Sequence, residues 1–195
     1  DALPISAPKR KLRDFLNEKN GKKQKKEDMT PWDFHKYLES HLVDMRLTIS
    51  RDNFIFTDTQ DVDSAMKQIE EAYKHLSRQN GQSMFMHISF GEFLNTVYDW
   101  FIKQKKDGLI NSTWDSWLVQ FINISVSYSR KLRQLAKLVN GFPRFKHLGI
   151  PLSELLGKQR LIKQMLAIED CANFWKIDYV IPREAERRSS QGHIQ

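Results

Sequence analysis

Between Ser89 and Phe101 the chain places Phe90, Phe93, Leu94, Val97, Trp100 and Phe101 at helical spacing. That spacing returns side chains to one face of a helix, and a stripe this bulky is stable in water only when other elements cover it. It predicts a buried helix, opened by a capping box at Ser89 and Glu92 and closed at Asp107-Gly108. An aromatic stripe of this kind reads as core rather than as a ligand platform.

The same period recurs on both sides. Thr30-Pro31 joins an N-cap to a proline at the first helical position, and Trp32, Tyr37, Leu38 and Leu42 carry that helix to about Val43. Val62, Ala65, Met66, Ile69, Ala72, Tyr73 and Leu76 predict a helix from Thr59 to Asn80, stopped by Gly81. Between these two, RLTIS and NFIFT flank Arg51-Asp52 with β-branched and aromatic residues. They are compatible with a small β-hairpin near 46–57 or with an irregular extended segment. The expected fold class is therefore mainly α: a single compact helical domain, whose one β element would be that hairpin if the segment is not irregular.

The most informative stretch is WDSWLVQFINISVSYSRKLRQLAKLV, from Trp114 onward. Ser112 with Asp115 makes a second capping box, opening a helix that carries Trp114, Trp117, Leu118, Phe121 and Ile122 to about Asn123. After a tight uncharged turn, a second helix runs through Leu132, Leu135, Ala136 and Val139 to Gly141, with Ser125 or Ser127 as its cap. FPRF then makes a connection, LGIPLSELLGKQRLIKQML supplies one or two short helices, and a last helix spans about Glu169 to Lys176. Two adjacent amphipathic helices with a basic second member are the pattern of a helix-turn-helix, placed at 112–140.

Charge follows the same division. The chain has 195 residues, a formal charge of +7 and a pI near 9.4. Residues 1–28 hold nine bases against five acids, 29–110 nine against twelve, and 111–195 thirteen against seven. From Tyr128 to Lys163 there are nine cations (Arg130, Lys131, Arg133, Lys137, Arg144, Lys146, Lys158, Arg160, Lys163) and one acid, Glu154. Charge this one-sided on a folded unit points to a polyanionic partner.

Within the second helix, Ile124, Leu132, Leu135, Ala136 and Val139 are expected to face inward, and Ser127, Tyr128, Arg130, Lys131, Gln134 and Lys137 outward. Arg130 and Gln134 have the paired donors and acceptors that suit guanine and adenine edges. Lys131, Arg133 and Lys137 suit phosphates, and Arg144 and Lys146 extend that track, with Lys158, Arg160 and Lys163, if the following segment folds back alongside. The expected partner is duplex DNA, with RNA as the other nucleic acid. From another class, an all-helical protein-interaction module or a homodimer is the competing reading.

FGEFLNTVYDWF, WDSWLVQF and ISVSYSRKLRQLAKL, in this order, resemble the helix-turn-helix proteins of phages, plasmids and mobile elements over residues 89–139. In those proteins a bracing helix precedes a W-x-x-W-L helix, an I-S turn and an Arg-rich recognition helix. The resemblance implies a fold and DNA contact. Asn123 stands where glycine is usual in the turn, and Val119 where a smaller residue usually lets the helices close.

The remaining segments set the expected organisation: a basic flexible arm at 1–28, a helical domain at 29–180 and a polar tail at 181–195. In the arm, Lys9-Arg10-Lys11 and Lys22-Lys23-Gln24-Lys25-Lys26 lie about ten residues apart, a spacing that resembles a bipartite nuclear localisation signal read by an importin. Residue 1 is Asp rather than Met, so the chain is expected to be part of something longer.

Catalytic and metal chemistry find little footing. Lone Cys171 leaves no disulfide framework, and His35, His41, His75, His87, His147 and His193 have no metal-ligand spacing. Asp58, Asp61 and Asp63 crowd a helix start, where carboxylates complement the dipole. With no phosphate loop, nucleophile elbow or triad in view, neither an enzyme nor a cofactor is expected. No apolar run reaches bilayer-spanning length, and no membrane role is expected.

Overall fold

The computed structural model describes residues 29–43, 54–78 and 83–178. The described residues form a helical array: α1 (Pro31–Glu39), α2 (Val62–Arg78), α3 (Met84–Lys106), α4 (Trp114–Leu118), α5 (Val126–Leu138), a 3-10 helix (Pro143–His147), α6 (Leu152–Leu156), α7 (Gln159–Leu166) and α8 (Glu169–Lys176). The basic arm with both lysine clusters, most of the hairpin segment, Gly81 and the polar tail lie outside the described residues. Phe54 to Thr57, the described part of the hairpin segment, belongs to no strand.

Local chemistry accounts for most helix starts. The Thr30, Ser83, Thr113 and Ser125 hydroxyls accept the backbone N–H of Asp33, Met86, Ser116 and Tyr128. Asp61 plays the same part before α2, its Oδ1 accepting from the Asp63 N–H at 3.1 Å. Gly108 (φ 76°) and Gly141 (φ 84°) turn the chain out of α3 and α5 through backbone angles that side chains disfavour.

Several boundaries differ from expectation. Helix α3 starts at Met84, so Ser89 is an interior residue: it is buried and its hydroxyl has no hydrogen-bond partner. The extra turn forms because Met84 and Ile88 find a second apolar cluster to bury against. Thr113, not Ser112, caps α4. Helix α1 ends at Glu39 rather than near Val43, because the chain turns there to pair with a later segment. The Val43 N–H donates to His147 O at 2.9 Å and the Gly149 N–H to His41 O at 2.8 Å, around an isolated bridge between Leu42 and Leu148. At Gly149 a Cβ would sit 2.3 Å from Val43 Cγ1, so a larger residue there would displace Val43 from that arrangement.

Two apolar clusters share α3 and α5. One gathers α2, the aromatic stripe of α3 and α4, with Trp117 packed among Phe101, Phe121, Trp114 and Trp100 at centroid separations of 4.9–5.9 Å. The other gathers α1, the 3-10 helix and α6 to α8 around Trp175 and Phe145, whose rings lie 4.5 Å apart. Helix α3 gives Phe90, Leu94 and Val97 to the first and Met84 and Ile88 to the second; α5 gives Leu132 to the first and Leu135 and Val139 to the second. The two helices cross at Gly91, where a Cβ would come within 2.9 Å of Ala136 Cβ and of the Leu132 carbonyl. That close approach seats α5 and decides which of its faces is left to solvent.

Candidate nucleic-acid interface

Helix α5 divides as its sequence pattern requires. Ser129, Leu132, Leu135 and Ala136 are buried, while Ser127, Arg130, Lys131, Gln134 and Lys137 are exposed. The helix that braces it is α3, not α4. The α4 helix ends at Leu118, and the link from Val119 to Ser125 replaces the tight turn expected after Asn123. Val119, the residue expected to obstruct helix closure, is exposed and obstructs nothing. Glycine permits the close crossing, but at Gly91, one helix earlier than the resemblance implies.

The cations of this region fall into distinct environments. Arg133 sits at the edge of the buried stripe. Its guanidinium lies 3.9 Å from the centre of the Tyr98 ring and 5.2 Å from that of Trp114. Its Nε donates to Asn95 Oδ1 at 2.9 Å, and Asn95 Nδ2 returns a bond to the Arg133 carbonyl at 3.1 Å. Burial lowers its pKa from the ordinary guanidinium value, opposed by Tyr98, Asp115 and Asp99, and a guanidinium so placed stays charged. Arg130 points outward and meets α4: its Nε donates to Asp115 Oδ2 at 3.1 Å, and its Nη2 donates to the same oxygen.

Lys131 and Lys137 form no ion pair among the described residues, and neither do Arg160 and Lys163 on α7. Helix α7 does fold back alongside α5. Gln159 Nε2 donates to the Lys131 carbonyl at 2.9 Å. Lys163 lies one helical turn beyond Gln159, and Arg160 and Lys163 are both exposed. The solvent face of α5 therefore continues toward a second set of free cations.

Arg144 and Lys146 are engaged elsewhere. Lys146 Nζ lies 2.9 Å from Glu92 Oε1 and over the Phe85 ring, with its side chain only 18% exposed. The Arg144 guanidinium stacks 4.1 Å from the Phe174 ring centre. Charge adjacency in sequence suggested a continuous track, but Glu92 and Phe174, on α3 and α8, draw these two side chains to other elements. Tyr128 also departs from expectation: it is half-buried against the α2–α3–α4 cluster, lining a cleft with Tyr73, Ser77 and Asn123. Burial, and then Tyr73, raises its hydroxyl pKa above the ordinary value. Glu154, the lone acid in the basic stretch, accepts the Tyr37 hydroxyl at 2.7 Å and so raises that hydroxyl's pKa.

Sequence reasoning did not single out Asn95 or Gln159, and it assigned Glu92 and Asp115 only to capping. Polar residues interrupting the aromatic helix of Phe90 to Phe101 were the available signal for Asn95 and Glu92. Among the described residues no group of His, Cys, Asp and Glu is placed to hold a metal ion, and no helix is long and apolar enough to cross a membrane. Comparison of the chain with protein-family models, with curated proteins and with solved structures gives no match.

Proposed function

We propose that this chain is a non-catalytic nucleic-acid-binding domain that takes duplex DNA against the solvent face of α5. The observation that carries the reading is the exposure of Ser127, Arg130, Lys131, Gln134 and Lys137 on one side of a helix whose opposite side is seated on α3. A helix braced on one face and cationic on the other meets the two requirements for lying in a major groove. Gln134, at mid-helix, is suited to an adenine edge; Lys131 and Lys137, with Arg160 and Lys163 of α7, are suited to the flanking phosphates. Arg144 and Lys146 are not assigned to DNA in this reading, because each is already held by an aromatic ring or an acid. The lysine clusters of residues 9–26 would take the protein into the nucleus through an importin. Fusing residues 1–28 to a fluorescent reporter tests that part independently.

Titration of a labelled random-sequence duplex at two salt concentrations tests the binding itself. About four phosphate contacts imply a slope of roughly −3.6 in log K against log salt. Single-stranded DNA and RNA are compared under the same conditions, and no duplex binding at low salt overturns the reading. The competing interaction-module reading needs a contiguous apolar patch. Among the described residues the exposed large hydrophobics are Met29, Trp32, Ile55, Leu109, Val119 and Ile177, none of them on α5.

A further inference from the structure

Along the outer side of α5 a shallow concavity of about 210 Å³ is lined by Arg130, Arg133, Gln134 and Lys137. Three of the four are cations, and the fourth carries an amide that donates hydrogen bonds. Arg133 is immobilised by Tyr98 and Asn95 through its ring stack and its Nε. Its two Nη amino groups have no hydrogen-bond partner among the described residues. Half-buried guanidinium donors without acceptors, beside two further cations, describe a seat for a compact anion with several acceptor oxygens. Beside Asp99, which also acts on Arg133, the carboxylate that meets this lining belongs to Asp115. Its Oδ2 accepts both the Nε and Nη2 hydrogens of Arg130, and its charge also acts on Arg133.

Resting on the DNA reading above, we propose that this concavity receives one backbone phosphate of the duplex, and that Asp115 holds Arg130 at its rim as an exchangeable stand-in for that phosphate. Arg130 is thereby a phosphate clamp rather than a base reader, and Arg133 is the fixed floor of the seat. Exchange is feasible because the pair is open to water, the Arg130 side chain being 63% exposed and that of Asp115 26%. Exposed ion pairs of this type add little stability and yield readily to a competing anion. Asp115 is held in place by its position in the first turn of α4.

The test is a double-mutant cycle on the full chain, read by titration of a labelled random-sequence duplex at several salt concentrations. Asp115→Asn is expected to tighten binding about three- to tenfold, because the resident competitor is lost. Arg130→Gln is expected to weaken binding and reduce the salt slope by about one. In the Arg130→Gln background, Asp115→Asn should then change affinity by less than about twofold. Asp107→Asn, which removes an exposed acid at the end of α3, controls for net charge and should have less than about a twofold effect. Asp115→Ser serves as a second neutral variant, and circular dichroism melts verify that each variant is folded. The exchange is overturned if Asp115→Asn weakens binding, leaves it unchanged, tightens it equally without Arg130, or does no more than Asp107→Asn. Duplex binding by the parent protein with no coupling in the cycle removes the exchange alone. No duplex binding by any variant at low salt removes the DNA reading and the exchange with it.

Discussion

Helix α5 and the Pro143–His147 turn are neighbours in sequence with similar cation content, and their side chains have opposite fates. On α5, Lys131, Gln134 and Lys137 stand in solvent and Arg130 is tethered only by a surface carboxylate. In the 3-10 turn, Lys146 is covered and neutralised by Glu92, and Arg144 lies flat on Phe174. The difference arises from what sits opposite. Among the described residues the outer face of α5 has no packed partner, whereas the 3-10 turn is wedged between α3 and α8, and cations there can be covered only by pairing with an acid or an aromatic ring. Arg133 shows that the boundary passes through α5 itself, since one turn of helix separates a cation bound into the core edge from those left free.

The sharpest challenge to this contrast is at Gly91, on which the presentation of α5 depends. Gly91→Ala should cost about 1–3 kcal/mol in a urea melt by forcing the α3–α5 crossing apart. A neutral result would mean that the crossing is looser than 2.9 Å contacts imply. Next in size, Arg133→Ala should lose about 2 kcal/mol, since it removes a ring stack and leaves Asn95 Oδ1 without its donor. Arg130→Ala in the same assay should lose under about 1 kcal/mol. Equal losses for the two arginines would erase the boundary drawn through the helix.

The third comparison exchanges the readouts. Lys146→Ala should lower stability by about 1 kcal/mol, since it leaves Glu92 without its partner, and duplex affinity should stay within about twofold. Lys137→Ala should leave stability within about 0.5 kcal/mol and weaken duplex binding several-fold. A Lys146 variant that lost affinity as strongly as the Lys137 variant would restore the continuous track and end the distinction.

The smallest effect concerns pH. Buried His35 accepts the Trp175 indole N–H at Nδ1, 3.0 Å away, so its neutral form is the one that α1 and α8 need. Burial lowers its pKa from 6.5, with Glu39 opposing and Lys36 assisting, and burial lowers that of His87 as well. Unfolded histidine therefore binds protons more readily than the folded form. The stabilisation is present above pH 6.5 and is lost as pH falls through the folded values. Thermal midpoints should decline from pH 7 toward 5, and His35→Gln should flatten the decline. Among the described residues no histidine lies on α5, so duplex affinity should change less than stability between pH 7 and 6.

Much of the fold was legible because it is encoded over short distances. The Phe90–Phe101 stripe, the Thr30-Pro31 start, the Ser125 cap and the glycine exits at Gly108 and Gly141 are each specified within a turn or two of chain. The inward and outward faces of α5 were legible for the same reason, apart from Tyr128, which found an aromatic neighbour in Tyr73. The start of α3 was misplaced because Ser89 satisfies the local capping pattern, while the cluster that rewards burying Met84 and Ile88 is assembled from α1 and from residues after 139.

Periodicity, caps and charge sufficed to specify a mainly helical chain and a helix from about Ser125 to Val139 with one apolar and one cationic face, because those properties depend on neighbours a few residues away. Which cations stay available, which helix braces α5 and where the helices touch were settled by folding. Arg130 meets Asp115, Arg133 meets Asn95 and Tyr98, and Lys146 meets Glu92 across long stretches of chain. Such pairings depend on how helices cross in space, and a pattern of spacing along the chain carries no record of which distant acid or ring will stand opposite a given charge.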